Sequence, residues 1–274
     1  VPWVRFGVFT LISWAVSRIA PVAGDRVRIE DDNIVEILPR KNELVRPKAA
    51  NIDLALMTVS TVRPVPNTYV LDKLITVCEF KQIEPVIILT KTDLKTDDTF
   101  TDIYQNAGFT VIQTGKGIEN REEILAVMKG KTSIFIGNTG VGKSTLLNRL
   151  FPDLGLRTAA ISDKLGRGRH TTRQVELYPV PGGGYVADSP GFSSVELEAY
   201  EPIRKEELAG CFREFRPYLD GCQFADCSHR KEKGCAVLKA IDDGKISLSR
   251  HESYVMLYEE AMQIPDWQRE DNRK

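Results

Sequence analysis

Residues 137–144 form a recognisable phosphate-binding loop. They read Gly-Asn-Thr-Gly-Val-Gly-Lys-Ser and match the pattern G-x-x-x-x-G-K-[ST] at every fixed position. An apolar run at 133–136 precedes the loop and a helical pattern at 145–150 follows it, which is the context that the pattern needs. Backbone N–H groups of such a loop converge on phosphate oxygens at the positive end of the new helix. Lys143 can reach the β- and γ-phosphates, and the Ser144 hydroxyl can bind Mg²⁺. A glycine-rich turn that only happens to precede a helix is the alternative.

The chain around this loop alternates between strand-like and helical patterns from about residue 50 onwards. The strand candidates are unbroken apolar runs, and residues 69–80 show apolar side chains at helical spacing. Apolar runs without alternation, interleaved with helices, indicate a parallel sheet that is covered on both faces. The strand candidates are residues 54–59, 84–89, 109–112 and 133–136.

Residues 90–93 read Thr-Lys-Thr-Asp and follow one of these strand candidates. The carboxylate of Asp93 can accept hydrogen bonds from both N1–H and the exocyclic amine of guanine, a donor pair that adenine lacks. The aliphatic stem of Lys91 can lie across the base. By itself the motif could be a polar loop at a strand end, but together with the phosphate-binding loop it favours GTP over ATP.

Two more segments carry groups suited to a nucleotide and its Mg²⁺ ion. Asp188 and Gly191 belong to a D-x-x-G sequence, which places a carboxylate near the metal and a backbone N–H near the γ-phosphate. Residues 166–173 form a loop rich in Gly and Arg, in which Thr171 and Thr172 can complete the Mg²⁺ shell, although it could also be a merely flexible basic loop. The candidate nucleotide-binding residues are Thr90, Lys91, Asp93, Gly137, Asn138, Thr139, Gly140, Val141, Gly142, Lys143, Ser144, Thr145, Thr171, Thr172, Asp188 and Gly191, with Ser144 and Thr172 on the magnesium.

A cysteine–histidine cluster lies near the C-terminus. Three thiolates and one imidazole make the donor set of a closed, tetrahedral, structural Zn²⁺ site, which has no open position for catalysis. Cys211 lies outside the spacing, Cys78 fits a core position, and the basic residues within 230–233 suit contact with RNA phosphate. A chance cluster of reduced residues is the alternative. The predicted zinc ligands are Cys222, Cys227, His229 and Cys235.

Charge and hydropathy argue against a protein that coats nucleic acid by bulk charge and against a membrane-spanning protein. Lys and Arg number 37 against 38 Asp and Glu, and this net charge of −1 argues against coating nucleic acid by bulk charge alone. The apolar stretch at 6–16 is shorter than the roughly 20 residues of a membrane-spanning helix. Five cysteines without an export signal fit a reducing compartment. We therefore expect a cytoplasmic protein with no membrane partner. We also expect a monomer.

The order of the motifs is unusual, because the guanine motif precedes the phosphate-binding loop. Ordinary small GTPases run in the opposite order, yet a sheet tolerates the exchange since strand neighbours set its packing. The sequence resembles the circularly permuted GTPases, and within them the ribosome small-subunit-dependent GTPase A family. The segments that carry the resemblance are G-N-T-G-V-G-K-S, G-R-G-R-H-T-T-R, D-S-P-G-F-S-S and the Cys/His cluster, and residues 21–25 and 40–44 extend it towards the N-terminus.

This resemblance implies three domains in an α/β protein. They are an OB-like β-barrel in residues 1–47, short for a complete barrel, a circularly permuted P-loop GTPase domain in residues 48–200, and a helical zinc-binding domain with a C-terminal tail in residues 201–274. It also implies GTP hydrolysis with Mg²⁺, late maturation of the small (30S) ribosomal subunit, binding to its rRNA, and stimulation by that subunit. A nucleotide-gated RNA-binding protein with incidental hydrolysis is the alternative. Residues 90–93 disfavour an ATP-using kinase or transport ATPase.

Two positions depart from common GTPase patterns. Phe192 stands where many GTPases carry the Gln that orients the attacking water, and Phe cannot do this. The resemblance points instead to His170, whose imidazole can orient or polarise water near pH 7, although it could only contact RNA or stabilise its loop. Residues 113–117, Gln-Thr-Gly-Lys-Gly, are an approximate version of the S-A-K guanine loop.

Overall fold

A computed structural model describes residues 20–45, 48–118, 120–152, 175–188 and 203–263 of the chain. Its centre is one six-stranded sheet flanked by helices. The elements of this central part are β5 (Leu54–Ser60), α1 (Thr68–Phe80), β6 (Glu84–Thr90), α2 (Asp98–Asn106), β7 (Thr110–Gln113), α3 (Arg121–Met128), β8 (Lys131–Ile136), α4 (Lys143–Leu150), β9 (Glu176–Pro179) and β10 (Gly184–Asp188). The predicted α/β class is confirmed.

The strand order of the sheet is β7-β6-β5-β8-β10-β9. All neighbouring pairs are parallel except β9 and β10, which form an antiparallel hairpin. The central strand β8 therefore lies between β5, which comes well before it in the chain, and β10, which comes after it. Because parallel strands end at one edge of the sheet, the loops that follow β6 and β8 both lie at that edge, on either side of the end of β5.

Unbroken apolar strands form because both faces of the sheet are covered. Along β5, Ala55 and Met57 pack into a core with α1 and α2, whereas Leu54 and Leu56 pack into a second core with α3 and α4. Successive side chains of a strand point to opposite faces, so a strand with helices on both sides is apolar at every position.

The C-terminal part is helical and packs against α1. It contains α5 (Lys205–Leu208), 3₁₀ turns at Ala209–Cys211 and Arg213–Gly221, α6 (Ala236–Asp242) and α7 (Leu248–Met262). Its core includes Phe212, Phe215 and Tyr254, and Val77 of α1 joins the same core. Among the helices that the structure describes, none is long and apolar enough to cross a bilayer.

The described N-terminal part consists of two short antiparallel pairs. One pairs β1 (Val27–Glu30) with β2 (Asn33–Ile37), and the other pairs β3 (Glu43–Leu44) with β4 (Ala49–Ala50). Arg40 donates from Nε and Nη2 to both carboxylate oxygens of Asp25, at 2.7 and 2.8 Å, and so joins the two segments that carry the N-terminal resemblance. Residues 1–19 of the predicted barrel lie outside the described residues.

Candidate functional site

The phosphate-binding loop joins β8 to α4 and needs its glycines for two different reasons. An ideal Cβ at Gly137 would lie 2.6 Å from the carbonyl oxygen of Thr58, so a side chain has no room there. Gly140 and Gly142 have φ values of +83° and +98°, in the left-handed region that glycine adopts most easily. The loop therefore turns directly into the N-terminus of α4, where backbone N–H groups can bind an anion.

The remaining loop residues lie between the core and the surface. Val141 is buried, whereas Thr139 and Thr145 are exposed and Asn138 and Ser144 are half-buried. The Lys143 ammonium nitrogen is shielded from solvent at the start of α4. The predicted phosphate and magnesium ligands of this loop thus share one helix terminus.

The structure brings the guanine motif into direct contact with the phosphate-binding loop. The Thr90 hydroxyl donates to the Val141 carbonyl, and Lys91 Nζ donates to the carbonyl oxygens of Gly140, at 2.9 Å, and Arg63. Lys91 has a φ of +59°, a left-handed conformation that is uncommon for a residue other than glycine. The motif therefore supports the phosphate-binding loop, and it also carries Asp93, the predicted ligand of the guanine base.

Sequence reasoning missed Thr61, which supports the guanine motif from the end of β5. Its N–H donates to the Thr90 carbonyl at 3.1 Å, and its hydroxyl donates to the Lys91 carbonyl at 2.9 Å. No sequence pattern marks this residue, since the contact joins chain segments 29 and 30 positions apart.

Asp93 is exposed at the sheet edge, next to the turn formed by residues 114–118. The Thr114 N–H donates to Leu89 O at 2.8 Å, and Gly115 and Ile118 exchange backbone hydrogen bonds. An ideal Cβ at Gly115 would lie 2.4 Å from Asp93 Oδ1. The approximate S-A-K segment therefore lies directly against the predicted guanine-binding carboxylate.

The remaining predicted nucleotide ligands are only partly within the described residues. Asp188 ends β10, beside β8, so its backbone reaches the same edge of the sheet as the phosphate-binding loop. His170, Thr171, Thr172 and Gly191 lie outside the described residues.

The four predicted zinc ligands lie around one point. Their ligand atoms are all within 4.8 Å of one another. Cys222 Sγ is 3.9 Å from Cys235 Sγ, and His229 Nδ1 is 3.4 Å from the first sulfur and 3.5 Å from the second. A tetrahedral Zn²⁺ with ordinary bond lengths requires ligand separations of about 3.8 Å for two sulfurs and about 3.6 Å for sulfur and nitrogen. Geometry and donor set therefore both fit zinc, with Cys227 as the fourth ligand.

The loop that carries these ligands is held in place by hydrogen bonds from α7. His251 Nε2 lies 2.7 Å from the His229 carbonyl oxygen, and the Tyr254 hydroxyl donates to the Ser228 carbonyl at 2.9 Å. Burial lowers the pKa of His229, which favours the neutral imidazole that binds a metal. Cys211 donates to Glu207 O and stays outside the cluster, and Cys78 is buried, as predicted.

Glu232 organises the same loop. It accepts hydrogen bonds from the N–H groups of Ser228, Arg230 and Lys231 at 3.0–3.1 Å. Burial raises the pKa of this carboxyl, but the hydrogen bonds from Ser228 and the backbone outweigh it and lower the pKa to about 2.

Comparisons with known proteins agree with this geometry. The model of the RsgA GTPase family matches residues 37–198. Small ribosomal subunit biogenesis GTPase RsgA of Caldanaerobacter subterraneus subsp. tengcongensis is 41% identical over 252 residues, which cover 89% of this chain and 84% of that protein. The protein of the same name from Bacillus subtilis (strain 168) is also 41% identical, over 87% of this chain and 83% of its own.

Two solved structures are similar over 90% of this chain. YjeQ from Thermotoga maritima has a TM-score of 0.75 and 33% identity, with 86% of that chain covered. YloQ, described as a circularly permuted GTPase, has a TM-score of 0.73 and 35% identity, with 83% of that chain covered.

Proposed function

The chain belongs to the RsgA GTPase family, and we propose that it hydrolyses GTP as a maturation factor of the small (30S) ribosomal subunit. The predicted family, the circularly permuted fold and the GTPase activity are confirmed by the family match and the two solved structures. The division into residues 1–47, 48–200 and 201–274 is part of the proposal.

One observation carries the guanine assignment. The Thr90–Asp93 motif contacts the phosphate-binding loop through Thr90 and Lys91, so that Asp93 and the N-terminus of α4 share one edge of the sheet. A nucleotide could therefore place its phosphates on the helix N-terminus and its base beside Asp93. The base would lose a bidentate acceptor if Asp93 were replaced, and the phosphates would lose their cation if Lys143 were replaced.

Hydrolysis would use the groups around the phosphates. Lys143 would neutralise charge that develops on the β- and γ-phosphate oxygens, and Ser144 and Thr172 would hold the Mg²⁺ ion that the reaction requires. Asp188, Gly191 and Thr171 would complete this site. His170 would orient the attacking water, because Phe192 cannot.

Zinc would act as a structural element of an rRNA-binding unit. Because four protein ligands close the tetrahedron, the metal would hold the 222–235 loop in shape and take no part in the hydrolysis. On this loop Lys231 and Lys233 are exposed, and the Arg230 guanidinium stacks on the Tyr258 ring at 4.5 Å. Such cations suit the phosphates of rRNA. We propose a monomer that acts in the cytoplasm, where the subunit would be its partner.

GTP turnover measured with added 30S and 50S subunits, each alone, tests this function. We expect 30S subunits to raise the turnover rate and 50S subunits to leave it near the basal value. The variant Lys231→Glu/Lys233→Glu should keep the basal rate and need more 30S for the same stimulation, because it loses phosphate contacts far from the nucleotide. Binding to 30S without any rate change would favour the alternative, an RNA-binding protein with incidental hydrolysis. Equal stimulation by both subunits would contradict the proposal.

A further inference from the structure

Phe224 is an aromatic residue that the fold leaves in contact with solvent. Its exposed fraction is 48%, and it is the only exposed aromatic residue within the ranges that the structure describes. The zinc ligands on either side of it, Cys222 and Cys227, pack against the core of the C-terminal unit, but the Phe224 ring is not part of that packing. The ring therefore adds little to the core and is available to a partner.

The backbone of the zinc loop holds Phe224 in a defined position. The Gln223 N–H donates to the Gly234 carbonyl at 3.0 Å, and the Cys227 N–H donates to the Phe224 carbonyl at 3.3 Å. Gly234 has a φ of +73°, and an ideal Cβ there would lie 2.9 Å from Gln223 Cβ, so the two arms of the loop are in close contact. Because the backbone is already ordered, binding of the ring to a partner costs little conformational entropy.

The charged residues of this loop differ between its two sides. Lys233 is exposed on the arm opposite Phe224, next to the hydrogen bond that joins the two arms. Glu232 accepts hydrogen bonds from the backbone of its own loop, so its charge is directed inwards. Asp226 is exposed two residues after Phe224, where a carboxylate repels a phosphate but can accept a hydrogen bond from a base amine. The 230–233 side therefore suits RNA phosphates, and the Phe224 side suits a base.

We propose that Phe224 stacks on an unpaired base of the small-subunit rRNA, while the cations of residues 230–233 contact the neighbouring phosphates. This rests on the proposed function and adds the form of RNA that the C-terminal unit recognises. A base inside a duplex has both faces covered by its neighbours, so only a base in a loop, a bulge or a single strand can offer a face to the ring. The site therefore selects unpaired RNA with little regard to sequence, because every base has such a face.

Co-sedimentation with 30S subunits, in the presence of a non-hydrolysable GTP analogue, tests the proposal with three substitutions at residue 224. Phe224→Ala should weaken binding by about 5- to 150-fold, the usual loss for one stack of a base on an aromatic ring. Phe224→Trp should bind like the wild type, because indole also stacks on bases. Phe224→Leu should bind like Phe224→Ala, because Leu keeps the apolar volume but has no ring. Met256→Ala is the matched control, since Met256 is also 48% exposed but lies on α7, and it should bind like the wild type.

The salt dependence of 30S binding separates the ring from the cations. Lys233→Ala should reduce the slope of log Kd against log salt concentration by about 0.7, the contribution of one phosphate contact in single-stranded nucleic acid. Phe224→Ala should weaken binding at every salt concentration and leave that slope unchanged, because stacking on a base releases no counterions. A changed slope in Phe224→Ala would overturn the proposal.

Three other results would also overturn it. Wild-type affinity in Phe224→Ala would show that the ring makes no contact with the subunit. Wild-type affinity in Phe224→Leu would indicate an apolar contact with a subunit protein. Loss of zinc from Phe224→Ala, measured by elemental analysis, would show that the ring supports the metal loop. A wild-type chain that does not bind 30S subunits at all would refute the proposed function itself, which is a different outcome from these.

Discussion

Arg250 joins the C-terminal helical unit to the central sheet domain through a fully buried ion network. Its guanidinium donates to both oxygens of Glu214, at 2.7 and 3.3 Å, and to Asp72 Oδ1 of α1 at 2.5 Å. The Tyr104 hydroxyl also donates to Asp72, and the Phe212 ring lies 4.7 Å from the guanidinium carbon. Burial alone would lower the pKa of Arg250, but the adjacent carboxylates raise it overall, so the side chain stays charged.

Arg250→Ala should cost about 3–5 kcal/mol of unfolding free energy. The substitution leaves two carboxylates, on Glu214 and Asp72, buried without their cation, and that penalty is the main part of the figure. Arg213→Ala is the control at the same interface. Arg213 binds Glu79 and Glu84, and its side chain is 21% exposed. Because water can replace part of these ion pairs, Arg213→Ala should lower the unfolding free energy by less than Arg250→Ala does.

Urea unfolding followed by circular dichroism measures both variants. We expect the midpoint of Arg250→Ala to fall well below that of Arg213→Ala, and the C-terminal helices to unfold in a separate, earlier transition. A triple variant with Asp72→Leu, Glu214→Leu and Arg250→Met should recover most of the loss, because it removes the buried charges together. An Arg250→Ala variant that loses no more stability than Arg213→Ala would refute this reasoning.

Four more predictions concern the nucleotide and the metal. Asp93→Asn should weaken GTP binding and favour a xanthine nucleotide in competition assays, and unchanged preference for GTP would contradict the role of this carboxylate. Elemental analysis should find about one zinc per chain, and Cys227→Ser should lower zinc content and destabilise the C-terminal unit while GTP binding is kept. His170→Ala should lower kcat by about 10²–10⁴-fold at nearly constant GTP affinity, and an unchanged kcat at saturating 30S would remove it from the catalytic residues. The folded-state pKa of Glu232 is lowered from 4.5 to about 2, so its stabilisation is present above pH 4.5 and is lost as the pH falls towards 2. Glu232→Gln should therefore flatten the pH dependence of stability in that window, and identical wild-type and variant profiles would show that the carboxylate is not needed.

The parts of the fold that the sequence predicts are those with a local pattern. The strand–loop–helix context of residues 133–150 and the spacing of Cys222, Cys227, His229 and Cys235 each lie within a short stretch of chain, and the structure brings each set together. The unbroken apolar runs of β5, β6 and β8 reflect burial on two faces, which any such sheet requires. The strand β9 is short and only partly buried, so it shows no strand pattern of its own, and it is held by pairing with β10.

Contacts between distant segments could not be predicted in this way. Arg250 lies in a helix rich in polar residues, where a charged side chain is ordinarily exposed, yet its burial follows from carboxylates 36 and 178 positions away. The close approach of Gly115 to Asp93 likewise joins two loops, and the approximate S-A-K pattern of residues 113–117 does not by itself reveal it.

These long-range contacts change the interpretation of the permuted chain order. The C-terminal unit follows the Asp188 loop along the chain, which suggests that movement of that loop could pass straight to the zinc site. The packing adds a second attachment, because Lys73 and Tyr69 of α1 bind Glu260 of α7 and Arg250 binds Asp72. A displacement of the zinc unit relative to the sheet would break these bonds and expose buried charges, at the cost worked out above for Arg250. We therefore expect the C-terminal unit to move together with α1, so that a signal from the nucleotide would reach it as a shift of that whole assembly.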